Sequence, residues 1–266
     1  MINIKNNIGK VLLDYCRIIY FNLTKYLTFL PTSPLSSSSL ANKFMFKLMT
    51  LLICSNFEPI IKEELKWYAR VHYDVQDLQR PLDIGHLCKF ILKTEHLDQD
   101  IIEFGVASAG LTIILAHFLK KIGSKRKIIG CDTFEGFPYD DKYEFNRHRK
   151  CECCGIKFDQ ILEKIKKYDV NDKIVLVKGM FEETLYQKLS DKKYSLVFID
   201  CDLYDSTKIS LDYSLPRLVK GGIIAFDEYE SEEKETPAYG ETIAANEFCE
   251  TNKLKIILDP IPHIIV

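Results

Sequence analysis

The chain has 266 residues, of which 47% are hydrophobic and 12% aromatic, a composition that supports a sizeable buried core and excludes a globally disordered chain. Its 36 basic and 38 acidic residues nearly cancel, so no nucleic-acid partner is expected, because phosphate binding needs a net basic surface or a basic stripe. Nine scattered cysteines and no recognisable signal peptide favour a reducing, cytoplasmic location.

The first 40 residues predict a helical extension followed by a linker. Residues 8–30 are apolar, but Asp14, Arg17 and Lys25 interrupt them, so a membrane-spanning helix is not predicted. We interpret this stretch as amphipathic helices that pack on the domain or on a partner, where they could form a homodimer contact, in preference to lying on a membrane surface. Residues 31–39 are rich in Ser and Pro and are typical of a linker.

Residues 41–266 predict one domain in which helices come first and strands then alternate with helices. The helical lead-in, residues 41–98, contains amphipathic stretches at 57–68 and 82–93. The predicted strands are 100–104, 127–131, 173–178, 194–199 and 223–226, the last preceded by a turn at Gly221 and Gly222. The predicted helices are 111–121, 158–168, 182–189, 206–218 and 242–250, and a short run at 255–258 follows them.

These strands are apolar throughout, which is typical of a parallel sheet that is covered on both faces. The sequence therefore predicts an α/β fold: a Rossmann-like, doubly wound, mostly parallel sheet with helices on both faces and an N-terminal helical extension. In such sheets, ligands bind beyond the carboxyl ends of the strands. An acid ends four of the five predicted strands and a glycine ends the other, the residues being Glu103, Asp132, Gly179, Asp200 and Asp227.

The turn after the first strand, EFGVASAG at 103–110, is rich in small residues that let a ligand approach the backbone. It is not the G-x-G-x-x-G dinucleotide fingerprint, and an ordinary strand-to-helix turn explains it equally well. Asp132 lies roughly twenty residues further on, where an acid can accept hydrogen bonds from both hydroxyls of a ribose. The two features together indicate an adenosine-containing ligand and leave open which one.

A second group of acids follows the last two strands. Asp200 and Asp202 come after one strand, and Asp227 and Glu228 come after the next. Clustered carboxylates repel one another, and a hard divalent cation with oxygen ligands relieves that repulsion, so we expect Mg²⁺ in preference to zinc. The alternative is that such residues cap the following helix, as Asp205 could.

The stretch 139–155 predicts a long loop that acts as a lid or recognises substrate. It contains four soft ligand residues, which are His148, Cys151, Cys153 and Cys154. The C-x-C-C spacing is not that of known zinc sites, and only one such cluster is present, so we expect ordinary thiols rather than a zinc site.

Six segments together resemble the macrocin O-methyltransferase family, a group of class I S-adenosylmethionine-dependent methyltransferases that use a metal. The segments, in matching order and spacing, are 102–110 (IEFGVASAG), 131–138 (CDTFEGFP), 178–183 (KGMFEE), 198–207 (FIDCDLYDST), 221–229 (GGIIAFDEY) and 237–248. The resemblance covers roughly residues 80–260 and implies methylation of a hydroxyl, on a sugar or glycoconjugate.

The resemblance also implies roles for individual residues. The amino-acid end of S-adenosylmethionine would be held by Glu103, Gly105, Ser108 and Gly110, its ribose by Asp132, and its adenine would be bordered by Met180 and Phe181. The metal would be held by Asp200, Asp227 and Glu228, with Asp202 nearby as ligand or base. Two positions depart from the family: Ala109 replaces a usual Gly, and Glu228 replaces a usual Asp.

These roles lead to a mechanistic hypothesis in which Asp200 and Asp202 are the candidate catalytic residues. A sugar hydroxyl is a poor nucleophile at neutral pH, and coordination to Mg²⁺ would stabilise the developing alkoxide. Asp202 could accept the proton if it lies within hydrogen-bond reach.

Three alternatives stay open at the level of sequence. Asp200-Cys201-Asp202 is a D-x-D arrangement, which a metal-dependent glycosyltransferase would use to hold a nucleotide-sugar diphosphate. A nicotinamide-dependent oxidoreductase is less favoured because the phosphate-binding glycine pattern is absent. A non-catalytic binding module on the same fold is also open, although a pure scaffold has no need for four clustered carboxylates.

Overall fold

The computed structural model describes residues 53–75, 79–143, 154–229 and 240–266, together with residues 47, 50, 51 and 150. All but one of them belong to a single unit of the chain, Thr50–Val266. The predicted extension and linker, residues 1–40, lie outside the described residues, so the proposed domain boundary stays a prediction. None of the helices in the described ranges has both the length and the apolar character needed to cross a membrane.

The elements alternate as the sequence predicts. In chain order they are α1 (Pro59–Val75), α2 (Pro81–Thr94), β1 (Asp100–Phe104), α3 (Gly110–Lys121), β2 (Ile128–Asp132), α4 (Phe158–Lys167), β3 (Ile174–Lys178), α5 (Phe181–Lys188), β4 (Tyr194–Ile199), α6 (Tyr204–Ser214), β5 (Leu218–Phe226), α7 (Gly240–Asn252) and β6 (His263–Ile265). Short 3₁₀ turns at Glu95–Leu97 and Leu215–Arg217 precede β1 and β5.

The strands form one six-stranded sheet in the order β3-β2-β1-β4-β5-β6. The first five are parallel, and β6 pairs antiparallel with β5 at the edge. The chain reverses its direction of winding between β1 and β4, so the two strands are neighbours and their carboxyl ends flank the crevice where ligands of doubly wound sheets bind. The predicted Rossmann-like α/β fold is confirmed.

The core follows the two-residue period of the strands. Ile102 and Phe104 of β1 pack in one apolar cluster with Leu185, Leu211 and Phe248, which belong to α5, α6 and α7. The alternate residues of the same strands point to the other face of the sheet, where α1, α2 and α3 pack together. Because both faces are covered, the strands carry apolar residues at nearly every position.

The sequence prediction was wrong at one place near the end of the sheet. Gly221 and Gly222 lie inside β5 rather than in a turn before it. The pairing shifts there, with Leu218 opposite Tyr194 but Ile223 opposite Leu196, and Gly221 takes a φ of +83°. Only a glycine accepts that conformation without strain, so the pair forms an irregularity within the strand.

The short run at 255–258, to which the sequence analysis assigned no element, lies outside the strands of the sheet. That run contributes one isolated bridge, between Ile257 and His263. The chain then turns, and His263–Ile265 pairs with β5.

Candidate active site

A cavity of about 650 Å³ opens at the carboxyl ends of β1, β2, β4 and β5. Every residue that the sequence analysis assigned to a ligand, a metal or the chemistry lines this cavity: Glu103, Gly105, Ser108, Gly110, Asp132, Met180, Phe181, Asp200, Asp202, Asp227 and Glu228. Their individual roles stay predictions, but the fold brings all of them to one continuous space.

The turn after β1 is shaped by the close approach of two strands. Gly105 has a φ of +87°, and a Cβ built on it would lie 1.7 Å from the main-chain oxygen of Asp200, at the end of β4. No side chain fits there, so glycine is required by contact as well as by conformation. Ala107 and Ala109 also have positive φ, 45° and 62°, which is the left-handed region that disfavours alanine.

Asp132 fastens this turn to β2. Its Oδ2 accepts hydrogen bonds from the backbone N–H groups of Val106 at 2.7 Å and Ala107 at 2.9 Å, and its Oδ1 accepts one from Phe134 N–H at 2.7 Å. Thr133 Oγ1 also lies 3.4 Å from Oδ1, but its one hydrogen has a closer acceptor, the main-chain oxygen of Gly136 at 2.8 Å. A carboxylate offers about four lone-pair positions, so roughly one, on Oδ1, could accept from a ligand hydroxyl in place of this long contact. Asp132 is therefore both an organiser of the loop and a candidate for one contact to a ribose.

Two residues that the sequence analysis missed, Thr112 and Lys164, fix the position of Glu103 and of the loop after β1. Thr112 Oγ1 donates to Glu103 Oε2 at 2.7 Å, which fixes the orientation of a carboxylate that is only 2% exposed. Lys164 Nζ donates to the main-chain oxygen of Ser108 at 2.8 Å and to that of Val75 at 3.1 Å. The lysine thus joins the loop after β1 to the end of α1. No local sequence pattern indicates either contact.

The four predicted acids, Asp200, Asp202, Asp227 and Glu228, line the cavity directly after β4 and β5. Desolvation, together with the neighbouring Asp227 and Asp202 carboxylates, raises the pKa of Asp200 well above its ordinary value. Desolvation likewise raises the pKa of Asp227 from 3.8 to about 6. Asp202 has a φ of 58°, a left-handed conformation that aspartate adopts more readily than most residues other than glycine.

Glu241, at the start of α7, is a further acid that the sequence analysis did not assign. Its side chain is fully buried behind the cluster, and Oε1 accepts a hydrogen bond from Glu228 N–H at 3.1 Å. Oε2 has no hydrogen-bond partner among the described residues. Burial and the charges of Asp227 and Asp202 raise the pKa of Glu241 well above its ordinary value. Its position in the 237–248 segment was the available signal.

The acids have the chemistry of a hard-cation site, because carboxylate oxygens that are desolvated together favour a divalent cation such as Mg²⁺. Desolvation first, and then the neighbouring carboxylates, disfavour the charged form of Asp200. In the described part of the chain, no group of three or more His, Cys, Asp or Glu side chains is arranged to hold a metal ion as it stands. The donor set fits the ion, and the side chains would have to draw together around it.

Gln79, from the link between α1 and α2, also lines the cavity. Its Nε2 donates to Asp200 Oδ2 at 3.2 Å. Desolvation dominates the raised pKa of Asp227, and the nearby Gln79 amide lowers that pKa and partly offsets the desolvation. The sequence analysis did not identify Gln79, since its partners lie more than a hundred residues away.

The first described residues of the predicted lid are held in place by Asp141. Asp141 is 7% exposed, and its two oxygens accept hydrogen bonds from Tyr143 N–H and Tyr204 N–H, both at 2.8 Å. Of the four soft ligand residues, His148, Cys151 and Cys153 lie outside the described residues. Cys154 is exposed, and its thiol donates to the main-chain oxygen of Glu135 at 3.1 Å.

A sequence model of the family described as macrocin-O-methyltransferase (TylF) matches residues 79–264, which is most of the chain and includes every candidate residue. The chain belongs to the macrocin O-methyltransferase family. The match begins at Gln79 and ends within β6, so the family domain comprises the sheet and its cavity.

Two relatives come from Streptomyces. The chain is 26% identical over 156 residues to 8-demethyl-8-(2,3-dimethoxy-alpha-L-rhamnosyl)-tetracenomycin-C 4'-O-methyltransferase of Streptomyces olivaceus, covering 56% of this chain and 59% of that protein. It is 28% identical over 180 residues to demethyldecarbamoylnovobiocin O-methyltransferase of Streptomyces niveus, covering 65% of this chain and 68% of that protein. The chain therefore matches less than two thirds of the length of the first relative.

Solved structures share the fold. The calicheamicin methyltransferase CalS11 superimposes with a TM-score of 0.61 at 23% identity, over 90% of this chain and 95% of that one. The O-methyltransferase NovP superimposes with a TM-score of 0.60 at 18% identity, over 83% of this chain and 96% of that one. At these identities the similarity shows that the chain and the two solved proteins share a fold.

Proposed function

We propose that the chain is an S-adenosylmethionine-dependent O-methyltransferase that methylates a hydroxyl of a sugar or glycoconjugate, with a divalent cation activating that hydroxyl. The observation that carries the proposal is that one cavity is lined both by Glu103 and Asp132 and by the acids Asp200, Asp202 and Asp227. The names of the two Streptomyces relatives, one of which specifies a rhamnosyl acceptor, support the acceptor class.

The donor end suits a flat nucleoside joined to an amino acid. S-adenosylmethionine supplies a methyl group on a positively charged sulfonium. Asp132 would accept a hydrogen bond from a ribose hydroxyl, Met180 and Phe181 would border the adenine, and Glu103 would attract the ammonium group of the methionine moiety. The loop after β1 lies between these contacts, and its small residues let the ligand approach the backbone.

At the acceptor end, Asp200, Asp227 and Glu228 would hold the cation, which when bound lowers the energy of negative charge that develops on the acceptor oxygen. Asp202 lines the same cavity and would accept the hydroxyl proton. The walls of the cavity hold donor and acceptor in register and exclude water, which contributes much of the rate. The Asp202→Asn variant should accordingly bind S-adenosylhomocysteine normally and methylate slowly.

Calorimetric titration of the full chain with S-adenosylhomocysteine, with and without MgCl₂, tests the donor site. We expect micromolar binding that is lost in Asp132→Ala, which removes both the ribose contact and the anchor of the loop, and retained in the control Asp191→Ala at an exposed position before β4. Heat released by a nucleoside diphosphate sugar, with none from S-adenosylhomocysteine, would overturn the proposal in favour of the D-x-D glycosyltransferase.

The cation and the chemistry need a second measurement, namely methyl transfer from labelled S-adenosylmethionine to a panel of glycosides and sugar nucleotides. We expect activity that is lost with EDTA and restored by MgCl₂. An unchanged rate in chelator would remove the cation from the mechanism. Donor binding with no transfer to any hydroxyl acceptor would favour a binding module.

A further inference from the structure

Gln79 occupies a position that serves two acids at once. It lies one residue before the N-cap of α2 and lines the cavity. Its side chain donates to Asp200 Oδ2 at 3.2 Å, and Asp227 lines the same cavity. A primary amide carries two N–H donors, so a single side chain can bind two carboxylates that would otherwise repel each other. The link between α1 and α2 thereby reaches the ends of both β4 and β5.

The backbone of Gln79 is itself held in place. Tyr68 of α1 is fully buried, and its hydroxyl donates to the main-chain oxygen of Gln79 at 2.7 Å. That hydroxyl has one hydrogen, so His72 Nδ1, 2.9 Å from the same oxygen, must carry a hydrogen and donate to it. These contacts fix the point from which the amide extends, and they set Gln79 apart from a mobile surface side chain.

We propose that Gln79 is a positioning residue that aligns the Asp200 and Asp227 carboxylates for the divalent cation. The inference rests on the proposed function, in which these acids bind that cation. Carboxylate ligands of metals depend on outer hydrogen-bond donors for their orientation, and loss of such a donor weakens metal affinity about 10–100-fold. Gln79 uses one of the roughly four lone-pair positions of Asp200, so the others stay available to an ion.

The amide of Gln79 could instead occupy the cation's position and compete with it. The two roles predict opposite changes in cation affinity when the amide is removed. Removal of an aligning donor weakens cation binding, whereas removal of a competitor strengthens it. A substitution that keeps the shape of Gln79 but lacks its N–H groups therefore separates them.

The experiment is calorimetric titration of the full-length chain with MnCl₂, in the presence of saturating S-adenosylhomocysteine, for the wild type and Gln79→Met. Methionine nearly matches glutamine in shape and donates no hydrogen bond. The matched control is Gln187→Met on the exposed side of α5. We expect Mn²⁺ affinity to fall about 10–100-fold in Gln79→Met and to be unchanged in the control, with S-adenosylhomocysteine affinity unchanged in both.

The concentration of MgCl₂ that gives half-maximal methyl transfer should rise by the same factor in Gln79→Met, which a general loss of folded protein would not produce. Equal or tighter Mn²⁺ binding by Gln79→Met would overturn the inference and leave the proposed function intact. A wild-type chain that binds S-adenosylhomocysteine but no Mn²⁺ or Mg²⁺ would overturn both the inference and the cation's role. Failure to bind S-adenosylhomocysteine would contradict the proposed function, and the manganese titration repeated without S-adenosylhomocysteine would then decide the role of Gln79.

Discussion

A methyl group added at Gly105 would probe the closest contact between the donor loop and the acid cluster. The new Cβ would lie 1.7 Å from the main-chain oxygen of Asp200, whereas real Cβ atoms stay at least 3.0 Å from such neighbours. The ends of β1 and β4 would therefore have to separate by more than an ångström. That movement strains two hydrogen bonds at this junction, from Asp200 N–H to Phe104 O at 2.9 Å and from Gly105 N–H to Cys131 O at 3.1 Å.

The expected loss of stability has two parts. A left-handed conformation costs an L-residue about 1–2 kcal/mol, and forcing extra volume into a packed contact costs about 1–3 kcal/mol. Gly105→Ala should thus lower the free energy of unfolding by about 2–5 kcal/mol. Gly123→Ala is the matched control, because Gly123 has a φ of +70° but a Cβ added to it would have no atom within 4 Å. It should lose only the conformational part, about 1–2 kcal/mol.

Urea unfolding followed by circular dichroism gives both free energies, and titration with S-adenosylhomocysteine gives the affinity of the donor site. We expect Gly105→Ala to be less stable than Gly123→Ala and to bind S-adenosylhomocysteine more weakly, because the displaced strand end carries the cavity wall. Equal stability losses in the two variants, with unchanged affinity, would refute the claim that close approach of β1 to β4 shapes the site.

Ala109→Gly should raise the free energy of unfolding by about 0.5–1 kcal/mol in urea, because the alanine is held at a φ of 62°; a loss of stability would contradict the strain. The fully buried Glu64 carboxylate lies 2.8 Å from His117 Nδ1 and 2.6 Å from Lys121 Nζ. Glu64→Leu should therefore destabilise the chain by about 3–5 kcal/mol, mainly because the Lys121 ammonium would lose its partner. The double change Glu64→Leu with Lys121→Met should recover part of that loss, and no recovery would argue against the pairing. Because the folded-state pKa of Asp227 is raised from 3.8 to about 6, the folded chain binds the extra proton, so stability without a cation should fall as pH rises from 4 to 7. Asp227→Asn should flatten that fall in thermal unfolding, and an unchanged slope would show that Asp227 does not experience the burial described.

The strands could be predicted because a strand that is buried on both faces appears in the sequence as a short, largely apolar run. β1 and β4 have the predicted bounds, and their residues are buried at nearly every position. The glycine pair of β5 was misread because glycines usually indicate a turn, while an irregularity within a strand depends on how the neighbouring strand pairs. Pairing partners are distant in sequence and leave no local pattern.

The candidate site divides in the same way. Glu103, Asp132, Asp200 and Asp227 could be identified because each stands directly after or at the end of an apolar run. Gln79 could not, because its partner Asp200 lies 121 residues away. Lys164 acts through main-chain oxygens, which carry no sequence information at all.

The sequence by itself therefore determined the strands, their parallel arrangement and the acids that end them, since apolar periodicity and chain order are local properties. Only the tertiary structure decided that β4 lies beside β1, which places Asp200 against the turn at Gly105. The same packing brings Gln79 against the Asp200 carboxylate and buries Glu241 close to Asp202 and Asp227. Strand order and contacts between distant segments depend on how all the helices and strands bury their apolar faces together, and no single segment contains that information.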